Sequence, residues 1–205
     1  MLKIWDLPIR VYHWLQAILF IGLVVTGYEF IGAEQAHLVL GLALFIALLW
    51  RIIWGIVGSD TARFVNFLPS FQQLIRYVTK QQDHYVGHNP LGALMVVLLI
   101  FLLLLQAVSG VYISEFIDGK GILGRNVFRA FETFHTLNAI FLTGLSVIHI
   151  LVIFVYQLQG NPLINVMFTG HKMMPSNFYQ PKMMNNTNAL LVLAVCIVLV
   201  ILLIS

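Results

Sequence analysis

Five stretches of this chain are long and apolar enough to cross a bilayer as helices: Leu7–Ile31, Ala36–Val57, Pro90–Ile113, Ala130–Tyr156 and Ala189–Ile204. A spanning helix needs about 20 such residues. Hydrocarbon offers no partner to a peptide group, so each segment must satisfy its own backbone as a helix. These stretches therefore predict an all-α integral membrane protein. Composition agrees: 60% of residues are hydrophobic and 9% are charged, where a soluble domain carries about 25% charge. The net charge of +3 is a small excess, suited to anionic lipid and not to nucleic acid. The first stretch is too long for the apolar core of a signal peptide, and "IGA" (Ile31–Ala33) is a poor cleavage site, so it is expected to remain as a helix. Pro8 and Pro90 suit a first helical turn, with Asp6 and Asn89 as their caps.

Lys and Arg counts set the orientation. Lys3, Arg10, Arg51, Arg63, Arg76, Lys80, Lys172 and Lys182 fall on one side of the membrane; Lys120, Arg125 and Arg129 fall on the other. The side with the larger count holds the N-terminus and is expected to face the cytoplasm. The segments between the second and third stretches and between the fourth and fifth are then cytoplasmic.

Histidine in a membrane segment is costly to bury and needs a partner. His84 and His171 sit in predicted loops and are expected to be solvated, but His13, His37, His135 and His149 lie in or at the ends of the apolar stretches. His135 and His149 are 14 residues apart, which on an α-helix is about 21 Å of rise and about 40° short of four full turns. They occupy nearly one face at two depths. His13, two turns into the first helix from the N-terminal side, matches the depth of His149. His37, at the start of the second helix on the opposite side, matches His135. Two imidazole pairs at two depths suit two b-type haems, each held by two histidines. A structural zinc wants four ligands at one site and fits less well. Gly22, Gly41 and Gly144 suit either the approach of a flat ring or ordinary helix packing. The single cysteine, Cys196, permits no internal disulfide, and no Cys-x-x-Cys-His attachment motif or iron–sulfur cluster set is present.

The segments "WDLPIRVYHW", "AHLVLGLALFIALLWRIIWGIVGS", "ARFVNFLP", "GHNPLGALM" and "VMFTGHK" resemble the prokaryotic cytochrome b561 family, which is related to the b-type cytochrome subunits of nickel–iron hydrogenases and formate dehydrogenases. The resemblance runs from Trp5 to Lys172. It implies a four-helix core with two b haems over residues 1–172, followed over 173–205 by a linker and a fifth transmembrane helix outside that pattern. It implies the pairing already reached, His13 with His149 and His37 with His135. It also implies electron transfer between the quinone pool and a redox protein such as a c-type cytochrome or a dehydrogenase or hydrogenase subunit. The alternatives are a self-contained enzyme, for example a superoxide:quinone oxidoreductase, and a haem-free anchor or transporter. No flavin or nucleotide fingerprint occurs.

Two further residues bear on the inner site. Arg51 follows His37 by 14 residues and so reaches the depth of the inner haem on nearly the same helix face. It is expected either to bind a haem propionate or to extend to lipid phosphates. His88, at the start of the third helix, is expected either to donate a proton to a quinone or to shape the "GHNP" turn or touch a propionate.

Overall fold

The computed structural model describes residues 1–27, 33–79, 85–114 and 124–204. His84, Lys80, Lys120 and most of the Ile31–Ala33 segment lie outside the described residues. The elements run β1 (Leu2–Lys3), α1 (Leu7–Thr26), α2 (Glu34–Val57), α3 (Phe64–Phe67), α4 (Phe71–Val78), α5 (Pro90–Ile113), α6 (Gly124–Leu158), α7 (Leu163–Thr169), β2 (His171–Lys172) and α8 (Asn186–Ile204). Among the described residues, α1, α2, α5, α6 and α8 are long and apolar enough to span a membrane. The fourth span is longer than the sequence pattern indicates. Its 35 residues extend about 52 Å, well beyond a hydrocarbon core of about 30 Å.

The expected caps form. The Asp6 carboxylate accepts from Ile9 N–H at 2.7 Å, and the Asn89 side-chain oxygen accepts from Gly92 N–H at 2.7 Å. Each occupies a start where a proline lies in the first turn. A two-residue antiparallel ladder, Leu2 opposite Lys172 and Lys3 opposite His171, then joins the N-terminus to the segment after α7. The Gly170 carbonyl accepts from both Ile4 and Trp5 N–H. Gly170 is left-handed (φ 78°) and abuts Trp5 and Arg10, so a side chain there would be strained and crowded. The "WDLP" and "FTGHK" segments, 160 residues apart in the chain, are thus one local structure. His171 is exposed, as expected.

α2 is the central helix: Leu44, Phe45, Ala47, Leu48, Trp50, Arg51, Trp54 and Gly55 are buried on it. It packs against α1, α5 and α8, while α5 packs against α6. α8 is therefore part of the bundle. Trp50 Nε1 donates to the Ala189 carbonyl at 3.0 Å, and Cys196 and Val200 are buried in the two apolar clusters that run along α2. On α6 only Asn138 and Leu142 are buried. Asn138 Nδ2 donates to Gln106 Oε1 (2.7 Å) and to the Leu102 carbonyl (3.0 Å), which bonds α6 to α5. Against α1, by contrast, α6 makes at most marginal backbone contact.

Gly22 serves helix packing, since a side chain there would meet Leu40 across the α1–α2 contact at 3.0 Å. Gly41 faces Leu23 across the same contact, and Gly144 faces open space.

Candidate cofactor-binding site

The antiparallel run of the spans brings the end of α1, the start of α2, the end of α5 and the start of α6 to one end of the bundle. His37 and His135 meet there, with ring centroids 6.3 Å apart and planes at 75°. The neighbours of each ring bear on which nitrogen is free. Thr26 Oγ1 is within hydrogen-bond reach of the Gly22 carbonyl at 2.7 Å and of His37 Nδ1 at 3.1 Å. Ser109 Oγ is within reach of the Gln106 carbonyl at 2.9 Å and of His135 Nδ1 at 3.0 Å. A hydroxyl has one hydrogen to give; with that hydrogen on the carbonyl, Nδ1–H donates to the oxygen and Nε2 keeps its lone pair. Gly110 makes room for the His135 ring, since a first side-chain carbon there would stand 3.0 Å from His135 Cε1.

These features fit a metal held between two imidazoles. A metal–imidazole bond is about 2.0–2.1 Å, and a ring nitrogen lies roughly 1.1 Å from its centroid, so two trans imidazoles have centroids about 6.3 Å apart. Among the described residues no three of His, Cys, Asp and Glu converge on one point. Donors in pairs suit a haem, whose macrocycle supplies the other four.

At the opposite end, His13 on α1 and His149 on α6 are close enough to interact electrostatically, and the His13 Nδ1 is buried without a hydrogen-bond partner. They project from two helices that make at most marginal backbone contact with each other.

Arg51 lies near His88, which in turn lies near both His13 and His149, and is enclosed. It is 2% exposed, with its guanidinium 4.7 Å from the Phe64 ring centroid and 6.0 Å from that of Phe67, a cation–π arrangement. It therefore does not extend to lipid phosphates. α2 offers it no carboxylate within several turns, but the fold brings the Tyr12 hydroxyl and the Asp6 carboxylate, at the start of α1, within electrostatic reach. Asp6 is itself held by Trp54 Nε1 at 3.1 Å. The Arg51 Nη1 remains buried without a partner, leaving one donor edge for a further acceptor.

His88 stands against Trp5 and Phe67, ring centroids 4.7 and 4.9 Å away. Its Nδ1 is buried and unpartnered. Burial, and secondarily the Arg51 charge, push its pKa down to about 3. Its surroundings therefore favour the neutral ring.

Thr26, Ser109, Gly110 and Asp6 as a countercharge are not evident from sequence reasoning. Each acts on a residue of another helix, and only Ser109-Gly110, a polar and small pair within an otherwise apolar span, gives any local signal.

The prokaryotic cytochrome b561 family profile matches residues 4–170. Relatives include a probable Ni/Fe-hydrogenase B-type cytochrome subunit of Azotobacter vinelandii, 31% identical over 44% of this chain and 50% of that protein. The corresponding protein of Rhizobium leguminosarum bv. viciae is 27% identical over 52% and 57%. A probable Ni/Fe-hydrogenase 1 B-type cytochrome subunit of Escherichia coli K12 is 27% identical over 43% and 50%. The chain thus spans about half the length of the curated relatives it matches. No solved structure matches it. With five membrane-length helices and a family match over 4–170 of its 205 residues, this chain belongs to the prokaryotic cytochrome b561 family of haem-carrying membrane electron-transfer proteins.

Proposed function

We propose that the chain carries electrons across the bacterial inner membrane on two b haems, one held between His37 and His135 and the other between His13 and His149. The observation that carries this reading is the 6.3 Å separation of the His37 and His135 rings, with both Nε2 atoms left free by hydroxyl partners. Haem supplies a reversible one-electron change at iron. The protein supplies the ligands, holds the two sites about 21 Å apart along α6, and excludes water with apolar spans. The charge count puts the N-terminus, His13 and His149 on the cytoplasmic side. The electron route then links the quinone pool to a redox protein, and the names of the relatives favour a nickel–iron hydrogenase subunit as that partner over a self-contained superoxide:quinone oxidoreductase.

Arg51 and His88 are proposed to face the inner haem, Arg51 offering Nη1 to a propionate. Reduction adds negative charge, so a nearby cation favours the reduced form. Arg51→Gln is expected to lower the inner midpoint by tens of millivolts, where about 59 mV is a tenfold change for one electron. Asp6 already offsets part of the charge, which keeps the shift modest. The outer midpoint should stay nearly constant. A redox titration resolving both haems checks this; a larger outer shift, or none in either, sinks the assignment. His88, being neutral, could serve a quinone only through an N–H hydrogen bond, and His88→Ala with both haems and full quinol-linked turnover would remove it from that role.

The reading as a whole is tested by purifying the chain with whatever it binds. Two protohaems per chain by pyridine haemochrome and a co-purifying hydrogenase are expected. A preparation with folded chain and no b-type bands on dithionite reduction would refute it.

A further inference from the structure

The two candidate haem sites are built differently at the nitrogen facing away from the metal. At one end, His37 and His135 each have a hydroxyl at Nδ1, at 3.1 and 3.0 Å. The two hydroxyls come from different helices, Thr26 at the last residue of α1 and Ser109 within α5. Each is turned the same way, its hydrogen committed to a carbonyl of its own helix, Gly22 or Gln106. Ser109 is fully buried (0% exposed), so it has no water to turn toward. At the other end, His13 Nδ1 is buried with no partner at all.

We propose that Thr26 and Ser109 are positioning residues that set the tautomer of the His37 and His135 imidazoles and bias that haem toward its oxidised form. This rests on the proposed ligand pairing. With each hydroxyl hydrogen on its own helix carbonyl, the oxygen accepts from Nδ1–H, and the ring would present Nε2 to the metal. An N–H that donates a hydrogen bond makes the far nitrogen more basic and the ligand a stronger donor. A stronger donor favours ferric over ferrous iron. Removing either hydroxyl leaves an N–H less well bonded, weakens the donor and raises the midpoint. The carbonyls of Leu23 and Gln106 also lie within reach of the His37 and His135 rings. They hold ring orientation when a hydroxyl is lost, so the haem is retained while its potential changes.

The experiment is a redox titration with low-temperature EPR of the full-length membrane protein and four variants: Thr26→Val, Thr26→Ser, Ser109→Ala and His37→Leu. Thr26→Val and Ser109→Ala are expected each to shift the outer haem equilibrium toward the reduced form by up to about tenfold, 59 mV for a one-electron couple. They should also move its low-spin g values and leave the other haem unchanged. Thr26→Ser should restore both properties. An unmoved outer midpoint, an equal shift in both haems, or a serine variant that behaves like valine overturns the proposal. If valine expels the haem, Thr26→Ala against Thr26→Ser carries the same comparison, and equality of these two overturns it. His37→Leu separates this failure from failure of the pairing. Two haems surviving that change would mean that His37 is no ligand, whereas one haem lost with silent hydroxyl variants would mean that only the hydroxyl role is wrong.

Discussion

Leucine in place of either His37 or His135 is expected to leave a protein that holds one haem, and the same one in both variants. Leucine in place of His13 or His149 should leave the other. Each change removes one of the two imidazoles that would hold that haem, and a single remaining imidazole would bind it much more weakly. The full complement of one site should therefore be lost, while the second site, about 21 Å away along α6, keeps its ligands. Pyridine haemochrome should fall from two haems per chain to one, and the residual α-band and midpoint should sort the four variants into two matched pairs. The sorting is the critical readout. His13→Leu and His37→Leu retaining the same haem would break the pairing, and any variant that lost both haems would show that the sites do not form independently.

Asp6→Ala should be the most destabilising single change outside the ligands. The carboxylate caps α1 through Ile9 N–H, accepts from the fully buried Trp54 indole, and is the acidic neighbour of the enclosed Arg51. Loss of an N-cap costs about 1 kcal/mol, and loss of a hydrogen bond to a charged group about 1.5–3 kcal/mol. Together they predict a loss of about 3 kcal/mol, or a midpoint lower by roughly 6–12 °C for a chain of this size. Asp6→Asn keeps a single acceptor oxygen, enough for the cap or for Trp54 but not for both, and removes the charge, so it should fall between wild type and alanine. Thermal unfolding in detergent, followed by tryptophan fluorescence and Soret absorbance together, measures both. An alanine variant within 1 °C of wild type would show that Arg51 and Trp54 do not depend on Asp6.

What could be read from the sequence is what depends on neighbours along the chain. Apolar length determined the five spans, because a peptide group in hydrocarbon has no partner outside its own helix. The 14-residue interval of His135 and His149 determined a shared face and two depths, because helical rise and rotation are constant. Asp6 and Asn89 could be identified as caps because a cap acts within three residues of itself. The extent of α6 beyond Ala130 and the ladder between Leu2–Lys3 and His171–Lys172 could not, since neither is signalled by apolar length.

The tertiary structure decided how side chains on different helices act on one another. That Arg51 lies under Phe64 and Phe67 and near Asp6, and does not reach toward lipid, follows from α3 and the N-terminal segment folding back over the end of α2. That His88 is held neutral follows from enclosure by Trp5 and Phe67 beside a cation. That α8 joins the bundle rests on Trp50 donating to the Ala189 carbonyl across 139 residues of chain and on Cys196 belonging to the same buried cluster. The hydroxyls of Thr26 and Ser109 could not be tied to His37 and His135 by any spacing rule. A hydrogen bond needs its partners within about 3 Å, and in a helical bundle that proximity is set by which faces pack, a property of the assembled helices and of no segment alone.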